Sequence, residues 1–304
     1  VVKALSAPRL RALFSDRPLT SYLFDLLNVA LLLGVIFVTL YPMYYIAIVS
    51  FSDGKEVLLG RVRFWPRGIN LASYQMVLRD PIIIRSLFNS IFYTSFGTLI
   101  NLVLSTLCAY PLSRRDFSGR KWLTLYVAIT MFFQGGLIPL YLVVLQLGLL
   151  DTMWAIVLVP AINAFYMFIM RTYFQGQPTA LHEAAIIDGA NDIQILARIV
   201  VPLAKPIMAT MLLFYAVQHW NSFFHALIFL TEKKRYPLQL ILRSVVVEST
   251  FEQMNDIGAA TDFMVVEKTI RFSVIMVSTL PILLVYPFLQ KYFVKGVMIG
   301  ALKG

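Results

Sequence analysis

Long apolar runs separated by short polar segments divide this chain. Six stretches are apolar and long enough to be read as membrane helices: Tyr22 to Phe51, Arg85 to Leu112, Leu123 to Leu147, Thr152 to Phe174, Ile207 to Leu230 and Thr269 to Leu289. A helix needs about 20 mostly apolar residues to cross hydrocarbon. The expected fold class is therefore all-α, a polytopic membrane protein with six transmembrane helices. Breaks are expected inside the runs. Pro42 removes a backbone bond from the first. Gln134-Gly135-Gly136 with Pro139 interrupts the third, and Pro160 with Asn163 lies inside the fourth. An interrupted helix is tolerated at depth only where protein or a watery cavity satisfies the freed backbone groups.

Two polar faces stand out within the runs. Thr94, Thr98, Asn101 and Ser105 share one face of the second span, a pattern that suits helix packing or the wall of a watery path. In the fifth, Gln218, Asn221, Ser222 and His225 fall at i, i+3, i+4 and i+7, with Trp220, Phe223 and Phe224 among them. Amides beside aromatic faces suit a sugar, and they equally suit a polar seam between helices. Gln218, Trp220, Asn221, Ser222 and His225, with Gln134 and Asn163 at the breaks, are the candidate substrate-path residues.

Composition agrees with a membrane protein. Of 304 residues, 59% are hydrophobic and 14% charged. A soluble domain carries about 25% charged residues. The net charge of +10 reads as anchoring at anionic lipid rather than nucleic-acid binding. Lys and Arg exceed the acids in segments 1–21, 113–122 and 291–304, which are therefore placed in the cytoplasm together with both termini; the alternation of spans puts 175–206 on the same side. Residues 22–290 form the transmembrane domain, with outer loops at about 52–84 and 231–268 and a cytoplasmic loop at about 175–206. No cleavage signal follows the first apolar run, which is read as an uncleaved helix. The outer loop carries Lys55, Arg61, Arg63, Arg67 and Arg79, against the positive-inside tendency; long translocated loops escape it. These charges are solvated, or they attract an acidic solute or delivery protein.

The single Cys108 excludes an internal disulfide and a four-cysteine metal site, and His182, His219 and His225 have no metal-ligand spacing. No metal site is expected. An intramembrane enzyme is disfavoured, since no Ser–His–carboxylate set or carboxylate pair lies in the spans. A self-contained secondary carrier would need intramembrane ionisable groups, which are scarce here.

The segment Gln177 to Pro206 differs from its surroundings: polar, helix-forming and set between two apolar runs. Pro178 suits a first helical position. Thr179 to Asp188 holds good helix formers, Gly189 suits a left-handed helix end, and a second run, Asp192 to Val200, is expected to stop before Pro202. Small side chains at Ala184 and Ala185 would allow a partner close to the backbone, with Glu183 offering a charge.

Glu183-Ala184-Ala185, Gly189, Ile199 and Pro202, at their spacing, resemble the EAA loop of bacterial ABC importer permeases, with Val201 where that family expects Leu. The likeness extends over nearly the whole chain. NSIFYTSFGTLINL (from Asn89) and AYPLSRRDFSGRK resemble the carbohydrate-uptake branch. HWNSFFHALIFL (from His219) and YPLQL resemble a subgroup for complex oligosaccharides of alginate or pectin type. The tail QKYFVKGVMIGALKG resembles that of the maltose-type second permease.

The resemblance implies a type I ABC importer permease fold in a bacterial cytoplasmic membrane. It implies ATPase coupling through Glu183, Ala184, Ala185, Asp188, Gly189, Ile199 and Pro202, and insertion of Gly296 to Gly304 into the ATPase dimer interface. The implied partners are a second homologous permease, two ATPase subunits and an external solute-binding protein. ATP and magnesium belong to the ATPase; the chain has no G-x-x-x-x-G-K-[ST] sequence and no cofactor of its own is expected. The substrate implied is an oligosaccharide, acidic by subgroup likeness, with neutral oligosaccharides as the alternative.

Overall fold

The computed structural model describes residues 19–255, 269–284 and 287, and the elements described there are helical. The expected tail contact at Gly296 to Gly304, most of the amino-terminal segment and part of the second outer loop lie outside them. Helix α1, Leu19–Ser50, carries Pro42 and exposes almost all of its apolar surface. Short helices α2, Gly54–Leu58, and α3, Ala72–Arg79, occupy the stretch expected to be a loop. Asp53 caps α2 by accepting from Lys55 N at 2.8 Å.

Helix α4, Pro81–Ser113, is the hub. Proline at its first position has no amide to leave unpaired. The Asp80 carboxylate accepts from Ile82 N at 2.7 Å and Ile83 N at 3.3 Å. Around α4 pack α5, Arg120–Phe132, α7, Met153–Leu158, α8, Ala164–Gln175, and α12, Lys205–Trp220. Between α5 and α6, Leu137–Gln146, the axis turns by 118° at the expected Gln134–Gly136 break, where Gly136 has φ +83°. Between α7 and α8 the chain breaks at Pro160 to Asn163, and the Asn163 side chain accepts from Tyr166 N at 3.2 Å to start α8.

Among the described residues, only α1 and α4 are single helices long and apolar enough to cross a membrane; counting each bent pair as one span raises that to four. Helix length therefore establishes fewer spans than the six expected from apolar runs. The reason is physical: the runs are continuous in sequence but interrupted in backbone. The sixth expected span is described as the apolar helix Thr269–Leu284.

The threonine face of α4 is a packing seam. Asn101 Nδ2 donates to Pro160 O at 3.1 Å, and the Ser105 hydroxyl lies 2.6 Å from that of Tyr215 on α12. Gly97, one turn before Asn101, meets the ring of His219, which is 4% exposed. A glycine here lets two helices approach to a distance no side chain allows.

At the end of the bundle expected to be external, Asp151 sits in the left-handed region (φ 53°) after the Leu147 to Asp151 turn. Its carboxylate accepts from Thr231 N at 3.0 Å and Glu232 N at 3.1 Å and pairs with Arg235 at 3.1 Å. Partial desolvation opposes its ionisation, but those two amides and the Arg235 guanidinium hold its carboxyl below the ordinary carboxylate range. Tyr93 and Asn89 of α4 donate to the backbone carbonyls of Arg235, Lys234 and Tyr236. This clasp ties the next helix, α14, Leu238–Asn255, to the hub.

Candidate coupling site

The segment from Gln177 to Pro206 forms an elbow. Helix α9, Thr179–Ile187, starts one residue later than expected, with Pro178 as its extended cap at φ −60° and ψ 124°. Its end is a paired reverse turn. Gly189 N donates to Ile186 O at 2.9 Å and Ala190 N to Ala185 O at 2.9 Å, with Gly189 at φ +83°. This pair of bonds requires the left-handed residue that glycine supplies.

The next helix starts at once. Asn191 Oδ1 accepts from Gln194 N at 2.9 Å while Asn191 N donates to Gln194 Oε1 at 3.0 Å, a reciprocal capping box. Helix α10, Asp192–Ile195, runs into a π turn, Leu196–Val200, and α11, Val201–Leu203. The expected stop before Pro202 does not occur. Val201 N donates to Leu196 O, five residues back. The widened turn places the proline, with no N–H and a ring that crowds the preceding turn, in a continuing helix. The axis then bends by 86° at Ala204 into α12.

One side of the elbow is sewn into the bundle. Ala185, Ile195, Leu196 and Val200 are buried in the same cluster as Ala109, Met167, Met170 and Tyr215. The His182 side chain is buried between two groups of the α4 end. Arg114 Nη2 donates to its Nδ1 at 2.8 Å. That leaves Nε2–H to donate to the Tyr110 hydroxyl at 3.1 Å. Gln177 Nε2 donates to Val200 O at 3.1 Å, joining the two limbs. A cavity of about 590 Å³ lies in the crook, bordered by Tyr110, Arg114, Asp116, His182, Glu183 and Ile199.

The other side is open. Glu183, Ala184, Asp188 and Pro202 are exposed. Ile187 is 85% exposed and Ile193 75%, with Ile186 and Leu181 beside them. Large apolar side chains gathered on an exposed polar loop mark a contact surface. The two alanines therefore part company: Ala184 faces outward, where a partner can approach, and Ala185 faces the bundle and seats the helix.

The candidate substrate-path residues do not form one face. α12 ends at Trp220, and the chain restarts at α13, Phe224–Phe229, so the stripe from Gln218 to His225 is cut. The expected spacing presupposed a continuous helix. Trp220 is buried and donates Nε1–H to Ser278 O at 3.2 Å, a packing contact with the last described helix. His225 stacks on Phe229, centroids 5.9 Å apart. Gln218 Oε1 is buried without a partner among the described residues. Asn221, Phe223 and Phe224 are exposed at the break, Ser222 is half-buried there, and Arg243 of α14 lies over the Phe223 ring at 5.8 Å. Asn163 serves as a cap, and Gln134 is exposed at the α5–α6 bend. Among the described residues no cluster of three or more His, Cys, Asp or Glu could hold a metal.

Burial first, and the Arg114 charge second, push the His182 imidazole below its usual range, with Asp116, Asp192 and Glu183 opposing. The fold thus holds the neutral ring. This contact stabilises the elbow fully above about pH 6.5, and its contribution falls as pH drops below that, where the unfolded ring takes a proton and the folded one resists. Amide exchange in residues 179–190, corrected for intrinsic rates, should therefore rise between about pH 7.5 and about pH 5.5. His182→Asn should flatten that rise.

An elbow anchored on one face and open on the other, set in an apolar helical body, is the architecture of an importer permease. The family described as "binding-protein-dependent transport system inner membrane component" matches residues 19–299, and the chain belongs to it. The polygalacturonan/rhamnogalacturonan transport system permease protein YtcP of Bacillus subtilis (strain 168) is 42% identical over 93% of this chain and 99% of its own length. The trehalose/maltose transport system permease protein MalG of Thermococcus litoralis is 30% identical over 91% and 97%. A chain from the crystal structure of a bacterial ABC transporter involved in the import of the acidic polysaccharide alginate superimposes with a TM-score of 0.84. It is 35% identical, and the match covers 92% of this chain and 99% of that one.

Proposed function

We propose that this chain is the permease subunit of an ATP-driven importer of acidic oligosaccharides of uronic-acid type, acting through a separate ATPase that contacts the elbow. The observation that carries the coupling reading is the elbow's two-sidedness. Leu181, Glu183, Ala184, Ile186, Ile187 and Asp188 offer an open docking face. His182, Ala185 and Ile195 link the elbow to α4 and the core. A push on the open face therefore moves the hub rather than a loose loop. Gly189 fixes the angle between the limbs; Ile199 and Pro202, on and beyond the π turn, carry the movement into α12.

In this account the chain catalyses nothing. ATP and magnesium are held by two ATPase subunits, and a second homologous permease completes the pathway. A solute-binding protein delivers the sugar to the opposite side, and both termini face the cytoplasm. Six membrane crossings follow if the broken runs each count as one. Acidic substrate is favoured by the relatives named for polygalacturonan/rhamnogalacturonan and for alginate, and by Arg243 over Phe223 beside the exposed break in the fifth run. The exposed Arg243 guanidinium and the exposed Phe224 ring at the same break offer a carboxylate and a pyranose ring one partner each. The relatives named for trehalose/maltose and arabinooligosaccharides favour a neutral sugar as the second reading.

In a reconstituted complex with its binding protein, uronic-acid oligomers should stimulate ATP hydrolysis and neutral oligomers should not. Stimulation by neutral sugars alone would reject the acidic assignment and leave the coupling reading intact.

A further inference from the structure

A second pocket lies beside the elbow, at the start of α5. It has a volume of about 730 Å³ and is bordered by Arg115, Arg120, Lys121 and Arg171, with no carboxylate among the residues that line it. The cations converge. Asn and Gln amides are oriented by their hydrogen-bond partners. With the Gln175 amide turned so that its oxygen meets the donors, that oxygen accepts from Arg120 Nη2 at 2.8 Å and from both Arg171 Nε and Nη2 at 3.3 Å. Arg171 Nε also donates to Leu112 O at 2.9 Å, which fixes its guanidinium. Two half-buried guanidinium groups are thus held together by neutral oxygens, and among the described residues neither has an ion-pair partner. Arg114, the next cation in the loop, is already paired with Asp116 at 3.3 Å. Like charges gathered without a counter-charge lower their energy by taking an anion.

The surroundings select which anion. Helix α5 runs away from the pocket with no buried residue along its length. Its Trp122 is 76% exposed, Tyr126 68% and Phe132 79%, with Leu123, Leu125 and Ile129 between them. A cationic pocket continuous with a long apolar face, with tryptophan at the junction, matches a molecule that is a phosphate at one end and hydrocarbon at the other. An acidic protein surface would have no use for the apolar continuation.

We infer that Arg115, Arg120, Lys121 and Arg171 form a binding site for the phosphodiester headgroup of an anionic phospholipid, whose acyl chains lie along α5. The inference rests on placing residues 113–122 at the membrane edge. In the assembled importer such a lipid would brace the loop that carries Arg114 and, through it, His182 of the elbow.

The test uses the purified whole transporter in mild detergent, exchanged against phosphatidylglycerol, phosphatidylcholine or inorganic phosphate and examined by native mass spectrometry. Phosphatidylglycerol should be retained in preference to phosphatidylcholine. The exposed-side variant Arg115→Gln/Lys121→Gln should weaken that retention about 30-fold, from the roughly fivefold expected per surface cation. Arg120→Gln should weaken it further, with phosphatidylcholine unaffected. Equal retention of both lipids, or retention unchanged in the variants, overturns the site. Displacement of the lipid by millimolar phosphate would assign the pocket to a soluble anion and overturn the lipid. Loss of the ATPase subunits in the Arg115→Gln/Lys121→Gln variant, with no lipid bound in the parent, would assign it to protein contact and overturn it as well. Sugar-stimulated hydrolysis is read separately, so failure here leaves the proposed transport function standing.

Discussion

Gly189→Pro should abolish retention of the ATPase subunits while leaving the membrane-inserted chain folded. Three effects act together at one residue. Gly189 holds φ +83°. Proline fixes φ at about −65°, on the opposite side of the map. It also removes the N–H that donates to Ile186 O at 2.9 Å. Finally, it restricts the residue before it, disfavouring helical values, and Asp188 sits at φ -72 ψ 0. The expected cost of the native elbow angle is about 3 kcal/mol or more. That corresponds to roughly a hundredfold loss of docked complex, or more. Asn, which tolerates the left-handed conformation, should retain most docking in Gly189→Asn. Glu183→Lys should lose docking for a different reason: its side chain is exposed, so the chain folds as before but presents the wrong charge. Pull-down of the ATPase with the tagged permease checks all three, with thermal melting of the isolated permease as the control for folding.

Gly97→Leu should have the largest effect on the permease body itself. A Cβ at position 97 would lie 2.5 Å from His219 Nε2 and 2.6 Å from Cε1. The His219 ring is buried, and the glycine is at the α4–α12 contact, the most extensive among the described helices. Overpacking of this kind costs roughly 1–3 kcal/mol, and more where the neighbour cannot retreat. The melting temperature of the purified chain should fall, and His219→Ala in the same background should restore part of it. Gly34→Ala is the matched control, since nothing lies within 4 Å of the added carbon. It should be neutral or slightly stabilising, because alanine favours a helix interior.

Some of this architecture is written in local signals. The glycines at 135, 136 and 189 announce breaks, and each break is where the backbone turns. The Glu183-Ala184-Ala185 to Pro202 spacing marks the elbow before any packing is known. The Asn191-x-x-Gln194 spacing also carries a capping-box signal in the sequence alone.

Other features depend on tertiary contacts that sequence spacing does not express. Neighbouring residues on a helix point about 100° apart, so Ala184 and Ala185 cannot both face a partner, and two identical side chains do not reveal which one does. The cluster around Met167 and Tyr215 decides it. The stripe from Gln218 to His225 has helical spacing, yet the helix stops at Trp220 with no glycine or proline to announce it. The Trp220 bond to Ser278 O joins distant parts of the chain. Leu196 and Val200, the two ends of the π turn before Pro202, likewise sit in a core built from distant parts of the chain. Arg120 and Arg171 lie far apart in sequence and meet only because α5 packs on α8.

The open face of Thr179–Ile187 is expected to lie against the ATPase. A photo-crosslinking amino acid at Ile187, the most exposed apolar residue of the elbow, tests it in membranes holding the whole transporter. The expected result is a crosslinked product that contains the ATPase subunit and disappears with Gly189→Pro. A product with the solute-binding protein instead, or labelling of that position from the external side, would contradict it.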